Sequence, residues 1–287
     1  MAQRGAWMVA RAGGLRNEQQ WLRYQFRRIA KEAGRVAAKF ETATIAERID
    51  LTPELAIFRI APATKLDFLP GQFASLALEA DGRILQRPYS MASAPHEPLL
   101  EFFLELVPGG LLTPRLWELR AGDRLLIGEK AAGTFYLDRK TGMLRHLMLC
   151  TVTGIAPFVS MIRAHAYELE RGLHAEMRFA MIHGASYLRE LDYYREEMAM
   201  IARQGWFDYV PTISRPLENT DWQGETGRIE DVIRKHADAL GFDHTQAIAY
   251  ACGHPVMVEN ARAILQRARF PKIQIHTEKY FTIKLPR

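Results

Sequence analysis

The chain changes rhythm near residue 143, and this change restricts the fold more than any single motif does. Before it, short apolar runs at residues 43–49, 55–60, 74–78, 99–106 and 124–128 are separated by turn residues such as Thr52-Pro53, Pro70-Gly71 and Pro108-Gly109-Gly110. Short strands at close spacing predict a closed antiparallel β-barrel, here with one short helix over residues 111–119. After it, apolar runs at 147–150, 177–182, 209–213 and 247–252 alternate with helical periods, among them 158–171, 230–239 and 255–268. That alternation predicts an α/β domain whose parallel sheet is wound with right-handed crossovers. The 287 residues suit two domains of ordinary size. The expected division is a basic helical extension over 1–40, a barrel over 41–141 and an α/β domain over 142–287.

The extension stands apart in composition. Asn17 is placed to cap a helix that carries Trp21, Leu22, Phe26, Ile29 and Ala33 on one face and cations on the other. Nine Arg and Lys residues fall in this stretch against Glu18 and Glu32, while the whole chain carries only +5. The folded body is therefore close to neutral, which argues against a nucleic-acid binder. Cys150 and Cys252 are the only cysteines, and both end apolar runs. The expectation is buried thiols in a reducing, cytoplasmic setting, with no disulfide framework and too few thiolates for a plant-type iron–sulfur cluster. The nine histidines show no ligand spacing with the cysteines, so no metal site is expected. His96, His146 and His254 read as loop or surface residues. No run of eighteen apolar residues predicts a membrane span, and the N-terminus lacks the apolar core of a signal peptide.

Three places carry chemistry. Arg87-Pro88-Tyr89-Ser90 follows the Asp81-Gly82 turn in a short strand, where alternation puts Arg87 and Tyr89 on one face. A cation, a flat aromatic and a hydroxyl are what a flavin nucleotide needs for its phosphate, ring and reactive nitrogen. In isolation the same residues also fit a strand with a salt-bridging Arg and a core Tyr. Thr153-Gly154-Ile155-Ala156-Pro157 and Cys252-Gly253-His254-Pro255 each follow an apolar strand and open a helix. Ligands of parallel sheets bind beyond such strand ends, and the helix starts suit a pyrophosphate. Each turn could equally use its Gly and Pro for geometry alone.

In this order the motifs resemble those of the ferredoxin–NADP reductase superfamily, nearest its bacterial branch, over residues 41–281. The resemblance implies a barrel that binds FAD and an α/β domain that binds NADP(H), with NAD(H) as the alternative. It implies that Arg87 pairs with the flavin phosphate, that Pro88 and Tyr89 pack beside the ring, and that Ser90 bonds its reactive nitrogen. Gly110, Leu111 and Thr113 match the second flavin-phosphate motif. Thr153, Gly154 and Gly253 would meet the nicotinamide nucleotide, and Cys252 would lie near its ring. Glu278 matches the acidic residue near the C-terminus, and Tyr280 or Phe281 the aromatic that covers the flavin. Ser90, Cys252 and Glu278 form the implied catalytic set. Arg215 and Arg228 match positions that grip a 2′-phosphate. Two residues depart from the pattern: Val152 stands where the family has Gly, and Ser186 where NADP-specific relatives carry Arg. The implied activity moves hydride from NADPH to flavin and then single electrons, reversibly, to ferredoxin or flavodoxin. The basic extension is expected to dock on the body or to be poorly ordered, with a partner- or membrane-surface helix as the alternative; as a partner surface it would attract an acidic ferredoxin. The alternatives are an NADH-using reductase component of an oxygenase system and a non-catalytic nucleotide-binding protein.

Overall fold

The computed structural model describes residues 39–173 and 177–280. The expected extension helix and Phe281 lie outside the described residues. Six strands form the first sheet: β1 (Phe40–Asp50), β2 (Leu55–Pro62), β3 (Phe73–Ala80), β4 (Arg83–Ser90), β5 (Leu100–Glu105) and β6 (Arg124–Gly128). Their order is β4-β3-β6-β1-β2-β5, and every pairing is antiparallel. The sheet curls until its edges meet at a bridge between Met91 and Phe102. Inside lie Ile45, Phe58, Leu76, Phe102 and Ile127, capped by Leu116 of the short helix α1 (Thr113–Glu118). Asp81 and Gly82 both take positive φ, +52° and +69°, the backbone of a two-residue hairpin turn. That turn sets the β3–β4 register and brings Ser90 opposite Phe73. β4 pairs only with β3, so the missing N–H of Pro88 falls on an open edge.

The second sheet holds β7 (Arg145–Thr151), β8 (Arg178–Ala185), β9 (Phe207–Ile213), β10 (Glu225–Thr226), β11 (Ala247–Gly253) and β12 (Ile275–Lys279). All are parallel, in the order β10-β9-β8-β7-β11-β12. Helices α2 (Ala156–Glu170) and α3 (Asp192–Ala202) cover one face, over Met148, Cys150, Tyr250 and Cys252. Helices α4 (Ile229–Leu240) and α5 (Pro255–Arg267) cover the other, over Leu147, Leu149, Ala249 and Ala251. Coverage on both faces explains why these strands are apolar throughout rather than alternating. The chain winds outward from β7 through β8 and β9, then returns to place β11 on the other side of β7. That reversal opens a crevice between the carboxyl ends of β7 and β11, the place where such sheets bind ligands.

Burial corrects one expectation. His146 is neither a loop nor a surface residue: it is fully buried in β7, stacks on Phe179 and lies 3.2 Å from the Tyr250 hydroxyl. Removal from water drives its pKa down to about 3, so the ring is neutral and packs as a core aromatic.

A buried carboxylate joins the two sheets. Glu101 of β5, 3% exposed, accepts from Arg163 of α2 at 3.0 Å, Arg59 at 2.8 Å and Tyr194 of α3 at 3.0 Å. Arg163 also grips both oxygens of Glu197, and Ser160 donates to the Ser93 carbonyl at 2.7 Å. Burial alone would raise the Glu101 pKa, but Arg163 and the hydrogen bonds from Arg59 and Tyr194 hold it below the ordinary carboxylate value. Among the described residues no helix is long and apolar enough to cross a membrane.

Candidate active site

The end of β4 meets the ends of β11 and β12. The Ser90 hydroxyl, nearly buried, donates to Glu278 Oε1 at 2.8 Å across 188 residues of sequence. Glu278 sits on β12 directly beside Cys252 of β11. Burial raises the Glu278 pKa while the Ser90 hydrogen bond works against it, and burial pushes the Cys252 thiol well up. The Cys252 thiol therefore stays neutral. The Tyr280 amide donates to the Gly253 carbonyl at 2.9 Å, which seats its ring in the same corner. The Tyr280 hydroxyl is buried and lacks hydrogen-bonding geometry to any described group, with Ser90 and Cys252 as its polar neighbours. Such a buried hydroxyl asks for a partner that no described residue supplies in good geometry.

The two turns at the crevice are built against each other. A Cβ on Gly154 would stand 2.5 Å from the Cys252 carbonyl oxygen, so no side chain fits there. Gly253 takes φ +124°, and a Cβ on it would meet Thr151 Oγ1 at 2.5 Å. The Thr151 hydroxyl accepts from the His254 amide at 3.1 Å, tying β7 to the start of α5. Thr153 is buried in the 3-10 turn Val152–Ile155 that leads into α2. Val152 sits at φ +43°, and its side chain packs against Ala185, Leu191 and Ile213. The methyl groups thus turn into the domain rather than into the crevice.

On the first sheet, Arg87 is exposed and donates to the Gln86 carbonyl at 2.7 Å, leaving most of its guanidinium to solvent. Tyr89 is half-buried against the barrel core, and its pKa is pushed up to about 12 by burial, with the Arg87 charge pulling the other way. Arg115 of α1 reaches Asp81 at 3.7 Å, which sets α1 beside the hairpin that carries Arg87. Thr113 opens α1 and is buried, and its Oγ1 accepts from the Val107 amide at 3.0 Å. A Cβ on Gly110 would lie 3.3 Å from that same Oγ1, while Leu111 is exposed.

At the far end of β8 and β9, Arg215 donates to the Tyr187 hydroxyl at 2.6 Å and lies 3.4 Å from Glu218. Arg189 stacks on the Tyr187 ring at 4.1 Å. Arg228 is exposed just before α4. The amides of Ser186 and Tyr187 both donate to Glu190 Oε2, at 2.8 and 3.0 Å.

The model of the oxidoreductase FAD-binding domain matches residues 42–135, and that of the oxidoreductase NAD-binding domain matches 148–263. The ferredoxin–NADP reductase of Pseudomonas aeruginosa is 34% identical over 215 residues, covering 70% of this chain and 79% of the relative. The chain belongs to the ferredoxin–NADP reductase family. The flavodoxin/ferredoxin–NADP reductase of Escherichia coli is 32% identical over 207 residues, with the same coverage of 70% and 79%. A solved ferredoxin NADP+ reductase from Neisseria gonorrhoeae, with bound FAD and NADP, superposes with a TM-score of 0.74 at 26% identity. It is matched over its full length by 85% of this chain. The protein is thus an FAD-dependent, NADP-linked reductase.

The residues present fit both nucleotides. An exposed Arg87, a half-buried Tyr89 face and the orphaned Tyr280 hydroxyl suit a flavin, and the glycine-lined crevice between β7 and β11 suits a nicotinamide nucleotide. The structure brings Ser90, Cys252, Glu278, Gly253 and Tyr280 together, while Arg215 lies just beyond β9 and Arg228 just beyond β10, away from that corner. Arg189, His183, Tyr209 and the Glu101–Arg163 cluster lie outside the set of residues expected at the site. None of these carries a local signal.

Proposed function

We propose that this reductase exchanges electrons between NADPH and a ferredoxin or flavodoxin, with residues 41–141 as its flavin domain and 142–287 as its nucleotide domain. The observation that carries the reading is the Ser90–Glu278 hydrogen bond beside Cys252, which sets a proton-holding pair where the two domains meet. When bound, FAD accepts a hydride from NADPH and releases two electrons singly. Glu278, its pKa raised by burial, accepts from the Ser90 hydroxyl and holds that hydroxyl at the place where the flavin edge would lie. Cys252 and Gly253 shape the nicotinamide seat, and Tyr280 or Phe281 covers the flavin face. Arg87, Pro88 and Tyr89 hold the flavin phosphate and ring, with Gly110, Leu111 and Thr113 supporting through the loop before α1. Thr153 and Gly154 present backbone to the nicotinamide nucleotide. Arg215 and Arg228, with Arg189 nearby, receive the 2′-phosphate. The relatives' names support the carrier, and two buried thiols leave any iron–sulfur centre to a separate protein in a reducing, cytoplasmic setting.

A second reading, an NADH-using reductase component of an oxygenase, is favoured by one feature. Glu190 occupies the amides after β8, where a carboxylate would suit a ribose hydroxyl and repel a phosphate. The test is reduction of a purified ferredoxin and flavodoxin by the FAD-loaded protein with NADPH or NADH. Carrier reduction with kcat/KM at least tenfold higher for NADPH is expected. Preference for NADH, or failure to reduce either carrier, would refute the proposal.

A further inference from the structure

Val152 holds a left-handed backbone that is unfavourable for a β-branched residue, at φ +43°. What restrains it reaches across three strands. The Val152 carbonyl lies 3.1 Å from His183 Nε2, and His183 Nδ1 lies 3.0 Å from the Tyr209 hydroxyl. His183 is fully buried in β8, between Cys150 of β7 and Pro211 of β9 in register. Burial lowers its pKa to about 4, with the Val152 carbonyl pulling upward, so the ring is neutral at pH 7. Burial also keeps Tyr209 protonated. A carbonyl can only accept, so Nε2 carries the single ring proton and donates to Val152. Nδ1 must then accept from the Tyr209 hydroxyl, and one tautomer satisfies every group.

We infer that His183, oriented by Tyr209, is a positioning residue for the nicotinamide nucleotide: it pins the Val152 carbonyl, and so fixes how Thr153 and Gly154 face the crevice. The inference rests on the reading of this turn as nucleotide-binding. The coupling is short. Gly154 is two residues from the pinned carbonyl and already in van der Waals contact with Cys252–Gly253, so rotation at Val152 would drive it into β11 or open the crevice. The side chain that does the pinning touches neither nucleotide nor flavin site.

The test measures the dissociation constant of NADP+ by difference spectroscopy on the FAD-loaded, full-length protein, with FAD content and thermal midpoint read on the same samples. The variants are His183→Leu, His183→Gln, Tyr209→Phe and Val152→Gly, alone and combined. His183→Leu removes the donor and should weaken NADP+ about tenfold at unchanged FAD content. His183→Gln keeps an N–H that reaches the carbonyl and should recover most of that loss. In a Val152→Gly background the backbone adopts the turn without restraint, so His183→Leu should cost at most about threefold. Should His183→Leu not fold, Tyr209→Phe carries the same comparison, with a loss of several-fold that Val152→Gly abolishes. Equal losses in both backgrounds, or none in either, would overturn the inference. Wild-type protein that binds no NADP+ would instead overturn the reading of the turn on which it rests.

Discussion

At Val152 the usual ranking of Ala and Gly should invert. The residue sits at φ +43° with its side chain half-buried against Ala185, Leu191 and Ile213. Val152→Ala and Val152→Gly both lose the two methyl groups, at about 1 kcal/mol for partial burial. Ala retains a Cβ and with it the left-handed penalty of about 1–2 kcal/mol. Gly loses that penalty but costs about 0.5–1 kcal/mol in chain entropy relative to Ala. The balance leaves Val152→Gly more stable than Val152→Ala by about 0.5–1 kcal/mol and close to wild type. Urea unfolding followed by tryptophan fluorescence reads this as a midpoint about 0.3 M higher for Gly than for Ala, given a slope near the upper end of about 1–3 kcal/mol/M. A Val152→Ala midpoint at or above that of Val152→Gly would mean that the turn is unstrained, and would remove the reason for its clamp.

The other expectations follow from buried charge, titration and the flavin strand. Glu101→Ala leaves Arg163 paired with Glu197 but removes the buried acceptor shared by Arg163, Arg59 and Tyr194, and should destabilise the protein by about 1–3 kcal/mol, whereas Glu47→Ala, an exposed partner of Arg59, should cost about 1 kcal/mol or less by the same urea assay. His183 and His146 have folded pKa values of about 4 and 3, below the ordinary 6.5, so the folded state binds fewer protons than the unfolded chain in that range. Their contribution is present above pH 6.5 and is lost as pH falls toward 4 and then 3, a slope that differential unfolding at fixed pH steps should show and that His146→Phe should reduce. Glu278 titrates the other way: its raised pKa means stability is lost as pH rises above the ordinary carboxylate value of 4.5, so Glu278→Gln should flatten that part of the profile. Tyr89→Ala and Arg87→Ala should each weaken FAD retention about tenfold, measured as flavin absorbance retained after ultrafiltration; full occupancy in both would refute the flavin strand.

The parts legible in sequence were those written locally. The run at residues 247–252 is apolar because α2 and α5 cover both faces of β11, and Asp81-Gly82 sets the register that delivers Ser90. Arg87 and Tyr89 lie on one strand, so their alternation could be read directly. What escaped depends on distance in the chain. Ser90 and Glu278 hydrogen-bond across 188 residues; the resemblance puts both in one set, but nothing local to either announces that contact. Glu101 looks like the solvent side of an alternating strand until Arg163, 62 residues later, folds over it. His146 reads as a polar interruption of an apolar run because its partner Tyr250 is 104 residues away. The strain at Val152 is invisible because the residue type gives no hint of a left-handed backbone; only the fold, through Gly154 pressed on Cys252, imposes it.

The central claim is that the β4 strand and the β7–β11 crevice hold FAD and NADPH so that electrons pass between them. The most direct test is anaerobic titration of the FAD-loaded protein with NADPH, followed in the visible spectrum. The account predicts that the flavin bands bleach at about one equivalent and return when an oxidised flavodoxin or ferredoxin is added. Flavin bands that persist with excess NADPH would contradict it.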